Sequence, residues 1–334
     1  MKAMLLRETA PLAQNPTPLS LTDLPEPKLD SGEVLIRVTA CGVCHTELDE
    51  IEGRMSPRLP LVPGHQVVGH IVEGGNIGQR VGAAWIASAC GECDFCQSGR
   101  ENLCAQFKAT GRDVDGGYAE YMKVRADFAH PIPDSLSDSE AAPLLCAGAI
   151  GYRSLRLSNL KDGQSLGLMG FGGSNHLVLK LARHKFPRSN IFVFSRNAQE
   201  REFALSLGAA WAGAIEQSPP EALEAVIDTT PVWGPVMEAL KCLRAGGRLV
   251  VNAIRKEEHD KGQFLTLDYP SQLWMEKEIK SVANVTRADV REFLQIAAEA
   301  NIKPEFQEYD LKDANIALFE MKQGKIRGSK VLRM

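Results

Sequence analysis

Hydrophobic and polar positions follow two rhythms along this chain. Up to about residue 145 the apolar residues come in short β-like runs: "EVLIRVTA", "QVVGHIVEGG", "RVGAAWIA" and "YAEYMKV". Gly and Pro punctuate them at short intervals, which predicts a compact, mostly β domain. The stretch "DSLSDSEAAPLLCAGAIGYRSLRL" turns helical behind a Ser/Asp-rich start able to cap it. From residue 165 short apolar runs alternate with amphipathic ones: "SLGLMG", "NHLVLKLARHK", "NIFVFS", "AQEREFALSLG", "EAVIDTT", "PVMEALKCLRAGG", "RLVVNA" and "EIKSVAN". Strands alternating with helices predict a parallel sheet covered on both faces. In this reading "PVMEALKCLRAGG" is one helix ending in its glycines, and "QSPPEA" is a loop. From about residue 285 a helical segment, "RADVREFLQIAAEA", leads to a strand-like "GSKVLRM".

Composition narrows the picture modestly. At 334 residues the chain is too long for one comfortable core, so two domains are expected. Hydrophobic content of 44% and charged content of 24% are ordinary for a soluble enzyme or binding protein. A net charge of -4 gives no electrostatic footprint for nucleic acid or an anionic membrane. No apolar run approaches the roughly 20 residues that span a bilayer. "MKAMLLRETAPL" carries no secretory core, so a cytoplasmic protein is expected, with its eight cysteines as thiols or metal ligands.

Spacing separates the cysteines. "CGECDFCQSGRENLC" sets Cys90, Cys93, Cys96 and Cys104 as C-x2-C-x2-C-x7-C, close enough to wrap one tetrahedral zinc. Four thiolates close the shell and leave no position for a substrate, so the expected role is structural, the competing readings being an iron–sulfur cluster and unrelated buried thiols. Backbone N–H groups should disperse its negative charge. Cys44 in "CGVCHTELDE", His65 in "PGHQVVGH" and Cys146 in "LLCAG" could instead form an open site. Two thiolates and a neutral imidazole cancel the charge of Zn2+ and leave a fourth position for a substrate oxygen. Taken singly, each has a plainer reading, as a core thiol or a turn residue.

The order and separation of "GVCHTE", "PGHQVVG", the four-cysteine lobe and "APLLCAG" resemble the zinc-containing medium-chain alcohol dehydrogenases over nearly the whole chain. That resemblance implies an α/β protein. A GroES-like, mostly β catalytic domain (1–147 and 285–334, with the zinc lobe at 88–106) would carry an inserted Rossmann doubly wound parallel sheet domain (148–284). It implies Cys44, His65 and Cys146 as ligands of the catalytic zinc, with Cys41 a bystander and Cys242 a buried thiol. It gives Thr46 the substrate hydroxyl's proton, the alternative being a helix cap. His45 would contact the cofactor pyrophosphate or lie on the surface. Glu47 would orient the ligand histidine or be solvated. Trp85 would wall the substrate pocket or belong to the core.

Three positions depart from the family. Gln66 follows the ligand histidine where Glu is usual, which puts a carboxylate-assisted ligand exchange in doubt. Asp49 stands where many relatives carry a relay histidine; it can accept a proton, or the relay can run to water. Ser329 takes the slot of a common arginine, with Arg327 nearby.

The cofactor turn "LMGFGGSNHL" has strand, glycines and helix in the order a dinucleotide requires. Gly170 permits the tight turn, and Gly172 with Gly173 lets backbone approach a pyrophosphate. Asn175 fills the third glycine slot, which serves packing; it should displace the helix slightly or turn its amide towards the ligand. The next strand ends "IFVFSR". NAD-binding relatives end it in a carboxylate that holds the ribose 2'-hydroxyl. Ser195 and Arg196 instead suit a 2'-phosphate, with Arg201 a second candidate, so NADP(H) is favoured over NAD(H). The plain alternative leaves Arg196 in solvent and NAD bound by other contacts.

The expected protein is a zinc-dependent alcohol dehydrogenase with two Zn2+ per chain. It would exchange hydride between a small alcohol and NADP, and run in reverse on aldehydes or ketones, with domain closure excluding water. A homo-dimer or homo-tetramer is implied by the family. The rivals are an NAD-preferring zinc enzyme, a quinone or enone reductase of the same superfamily, and a redox-sensing regulator that binds zinc and nucleotide without turnover.

Overall fold

The computed structural model describes residues 1–324 and 328–334, so Arg327 lies outside the described residues. The chain divides into two compact units, Met1–Ala149 with Val285–Met334, and Ile150–Asn284.

The first unit is built on a long strand, Glu33–Val43, whose alternating residues Val34, Ile36 and Val38 are buried in the apolar core. On one side it pairs antiparallel with Ser329–Arg333, which pairs parallel with Phe306–Asp310. The last residues of the chain therefore complete the sheet of the first. On its other side it pairs antiparallel with Val67–Glu73, and the ladder continues through Arg80–Ala83 to Ala129–Pro131. Tyr121–Arg125 also pairs with its first half. The four-cysteine segment lies between the short strands Ile86–Ser88 and Lys108–Ala109, which pair with each other as a separate two-stranded sheet.

The second unit holds a parallel sheet of six strands among the described residues. Its spatial order is Trp211–Gly213, Ile191–Phe194, Leu166–Met169, Leu223–Asp228, Leu243–Val251, Glu278–Ser281. Numbered along the chain, that order is 3-2-1-4-5-6, the doubly wound arrangement. Its crevice opens at the carboxyl ends of the first and fourth strands, where the winding reverses. Continuous apolar burial along Leu166–Met169 and Ile191–Phe194 is what a strand covered on both faces requires.

Two local expectations change. "PVMEALKCLRAGG" is not one helix. The helix Gly234–Cys242 stops before its glycines, and Leu243–Val251 is extended, with a register shift against Leu223–Asp228 and Gly246 at φ +70°. Glycines tolerate both a helix end and an irregular strand entry, so composition does not separate the two. The helical run from residue 138 is interrupted as well. Asp138–Pro143 leads into one π-turn at Leu144–Gly148 before α-helix resumes at Ala149–Leu157. Pro143 offers no N–H to the helical ladder, and a widened turn follows it.

Candidate metal centres and cofactor crevice

The helix His45–Ile51 arranges the open site. Cys44 is its N-cap, and the Glu47 carboxylate reaches back to accept from the Cys44 backbone N–H at 2.8 Å. The other oxygen of Glu47 lies 2.5 Å from Nδ1 of His65, with both side chains fully buried. A carboxylate on Nδ1 fixes the tautomer and leaves Nε2 as the free donor atom. Nε2 lies 3.3 Å from Sγ of Cys146, which the π-turn presents. The ligand atoms of Cys44, His65 and Cys146 all fall within 4.8 Å of one another. Three residues distant in sequence thus meet as two sulfurs and one correctly oriented imidazole nitrogen, a donor set suited to Zn2+. The hydrogen bond with Cys146, joined by His65, holds the Cys44 thiol well below its usual range, and the same bond with burial raises Cys146.

The neighbours are placed as follows. Thr46 is buried, its hydroxyl 3.7 Å from Sγ of Cys44. Asp49 is buried and paired with Nε of Arg54 at 2.6 Å. His45 is exposed. Trp85 is buried in the apolar core of its unit, its ring 5.4 Å from that of Phe107 and capped by the Arg112 guanidinium at 5.0 Å. Gln66 is buried against Gly42, where a Cβ would stand 2.5 Å from Oε1. Gly64, at φ +102°, lets the Tyr118 ring lie where a side chain would be, 2.4 Å from an added Cβ. Cys41 is fully buried and Cys242 half-buried; Ser329 is buried.

In the four-cysteine lobe, Cys90, Cys93, Cys96 and Cys104 also bring their sulfurs within 4.8 Å of one another. The Cys93 N–H donates to Sγ of Cys90 and the Gln106 N–H to Sγ of Cys104, each at 3.4 Å. The Cys93 amide, with that of Glu92, lowers the Cys90 thiol to about 6, the direction a thiolate ligand needs.

In the second unit, Gly170 at φ +76° makes the turn after the first strand, and an added Cβ at Gly172 would meet nothing within 4 Å. That open space lies just before the N-terminus of the helix Asn175–Lys185, a position where backbone N–H groups can meet an anion. Asn175 faces inward. Its buried Nδ2 donates to the carbonyls of Met169 and Gly170 at 3.0 and 2.8 Å and to the Thr229 hydroxyl at 3.1 Å. It ties strand, turn and helix together with hydrogen bonds where a glycine would do so by close packing.

At the end of the next strand Ser195 is buried and Arg196 exposed. Arg201 donates to the carbonyls of Ser195 and Arg196 at 2.7 and 3.1 Å. Sequence reasoning missed Glu200. From the first turn of the helix Ala198–Ser206 it accepts the Ser195 hydroxyl at 2.5 Å, so a carboxylate does reach this strand end. The available signal was its i+5 spacing from Ser195 across a capped helix start.

Residues 30–134 match the Alcohol dehydrogenase GroES-like domain. The chain is 42% identical to Probable alcohol dehydrogenase AdhA of Mycobacterium tuberculosis, over 99% of this chain and 97% of that one. It is 36% identical to an alcohol dehydrogenase of Geobacillus stearothermophilus, over 98% and 99%. Among solved structures, an alcohol dehydrogenase from Aeropyrum pernix superposes over 100% of both chains with a TM-score of 0.87 at 24% identity, which extends the likeness to the fold. Among the described residues no helix is long and apolar enough to cross a membrane.

Proposed function

The chain belongs to the zinc-containing medium-chain alcohol dehydrogenase family, and on that premise we propose a zinc-dependent enzyme that oxidises small alcohols with NADP and reduces the corresponding aldehydes or ketones in reverse. The observation that carries the zinc reading is the Glu47–His65 contact on Nδ1, which turns the free Nε2 towards the thiol of Cys146. Cys44, His65 and Cys146 would hold a catalytic zinc, and Cys90, Cys93, Cys96 and Cys104 a structural one.

When bound, the catalytic ion supplies a Lewis acid that lowers the pKa of a substrate hydroxyl, and the nicotinamide supplies the hydride acceptor. The chain does the rest. Thr46 stands beside Cys44 with a hydroxyl able to accept the substrate proton as it donates its own. Asp49, one turn of helix away, is held by Arg54 as a candidate proton acceptor beyond it. Glu47 keeps His65 in one tautomer throughout. Gly170, Gly172 and Gly173 would receive the pyrophosphate, and His45, exposed on the turn that carries Thr46, is a further candidate contact for the cofactor by family resemblance. Trp85 would present an apolar wall to the substrate.

The strand end supports NADP(H) on charge. Arg196 and Arg201 against Glu200 leave one net positive charge for a 2'-phosphate. NAD(H) is the second reading, favoured by the same Glu200, which with Ser195 could accept ribose hydroxyls. The chain would act as a homo-dimer or homo-tetramer on a small-molecule substrate in the cytoplasm, without nucleic acid or membrane partners.

The test pairs metal analysis with turnover. About two zinc per chain and consumption of NADPH with an aldehyde panel are expected. A single zinc per chain would point to the quinone or enone reductase, and a zinc-replete, folded protein without turnover would end the enzyme reading.

A further inference from the structure

The helix that carries Thr46 and Glu47 also carries a carboxylate with no work in the proposed mechanism. Glu50 is 1% exposed, and neither of its oxygens has a hydrogen-bond partner among the described residues. Its neighbours on the helix are all engaged: Glu47 with His65 and the Cys44 amide, Asp49 with Arg54, and Glu52 just beyond with Arg54 and Lys322. Burying a carboxyl group without hydrogen bonds costs several kcal/mol, so natural proteins rarely leave one unmatched. Among the described residues nothing supplies the missing partner.

Two more buried polar groups lack partners in the same region. Among the described residues the buried Tyr118 hydroxyl has no hydrogen-bond partner, and neither has the buried Trp85 indole N–H. Tyr118 and Trp85 belong to the same buried cluster as Leu48 and Ile51 of the helix that carries Glu50, and the Arg112 guanidinium lies over the Trp85 ring at 5.0 Å. Their chemistry is complementary to a hydroxyl: the indole donates, the phenol donates or accepts, and the carboxyl accepts. Glu50 follows Thr46 by four residues, so the two side chains share one helix face about 5–6 Å apart at Cβ. A ligand oxygen beside Thr46 and a second oxygen near Glu50 are therefore separated by a few bonds.

We propose that Glu50, with Tyr118 and the Trp85 N–H, forms a polar subsite for a second hydroxyl of the substrate, so that the enzyme prefers short diols and hydroxyaldehydes to plain alkanols. The inference rests on the alcohol dehydrogenase reading above. A site built around a hydrogen-bonded hydroxyl rejects the analogue that lacks it, because the analogue leaves buried polar groups unpaired.

The experiment compares kcat/KM for butane-1,4-diol and butan-1-ol, and for propane-1,3-diol and propan-1-ol, on the zinc-loaded full-length protein. The wild type should favour each diol by about tenfold or more. Glu50→Leu should abolish or invert the ratio while turnover of the alkanol persists or rises. Tyr118→Phe, which removes a single oxygen, should lower the ratio several-fold, and it keeps the test alive should Glu50→Leu fail to fold. Glu50→Gln, which keeps shape and hydrogen bonding, should retain part of the preference. Equal diol-to-alkanol ratios in wild type and all folded variants overturn the subsite and leave the three groups to buried water. Absence of turnover with every alcohol and aldehyde, zinc being bound, instead defeats the alcohol dehydrogenase reading itself.

Discussion

Glu47 is the residue whose single side chain does most for the open site. One oxygen closes the helix cap at Cys44 and the other fixes the tautomer of His65, so two of the three proposed ligands depend on it. Glu47→Gln keeps the shape but removes the charge that makes the imidazole a better donor. Catalytic zinc affinity should fall about 10–100-fold, read by competition with a chromophoric chelator, while the four-cysteine zinc stays bound. An unchanged affinity would make Glu47 only a helix cap. At the strand end, Glu200 opposes Arg196. Glu200→Gln should shift the kcat/KM ratio towards NADPH, and Arg196→Ala should shift it towards NADH, each by about tenfold, roughly 1.4 kcal/mol. If neither moves the ratio, cofactor choice lies elsewhere. The contrast shows what sequence reveals at this scale. Cys44, His65 and Cys146 were legible because their motifs resemble a family, not because of spacing. Glu200 and Glu50 were not legible, because a carboxylate's role depends on whether folding gives it a partner. Folding places Glu200 on Ser195 and leaves Glu50 without a hydrogen-bond partner among the described residues.

At the scale of elements, the strongest sequence signal was the four-cysteine lobe, whose short spacing makes it almost a local structure. It is joined to its unit by the small pair Ile86–Ser88 and Lys108–Ala109 and by Arg287, which bonds Glu101 from the start of the helix Arg287–Glu299. An S4 centre whose ligands come from one loop contributes its binding energy directly to the folding of that loop. Cys93→Ser should therefore reduce zinc from two to one per chain and lower the thermal midpoint by roughly 5–15 °C, with residual activity at low temperature. An unaltered midpoint after loss of that zinc would make the lobe dispensable for stability. The alternating strand–helix rhythm was equally legible, since period and order suffice to predict a parallel sheet. What escaped was where regularity breaks. The π-turn that presents Cys146 and the extended "LRAGG" both occur where Pro or Gly permits several backbone states, and tertiary contacts choose among them.

At the scale of the whole molecule, the second unit ends its parallel sheet in a strand that asks for a partner. Among the described residues Glu278–Ser281 pairs with Leu243–Val251 alone, and it is exposed at all four positions. Trp274, Met275 and Ile279 beside it are 54%, 55% and 43% exposed. An open edge flanked by large apolar side chains templates pairing with another chain, and proteins that remain monomeric blunt such edges. A second copy related by a two-fold axis would bring the same strand alongside in antiparallel sense. That extends the sheet and covers the same apolar groups on both copies, the isologous geometry that closes a dimer. Homo-oligomers are accordingly expected to form through this edge. Ile279→Lys replaces the apolar side chain between Glu278 and Lys280 with a further charge and Trp274→Glu removes the largest flanking group, so each should halve the sedimenting mass relative to wild type. Zinc content should stay at about two per chain, because every proposed ligand belongs to the other unit. A wild type that sediments as a monomer, or variants that keep the wild-type mass, would show that the edge is left to solvent.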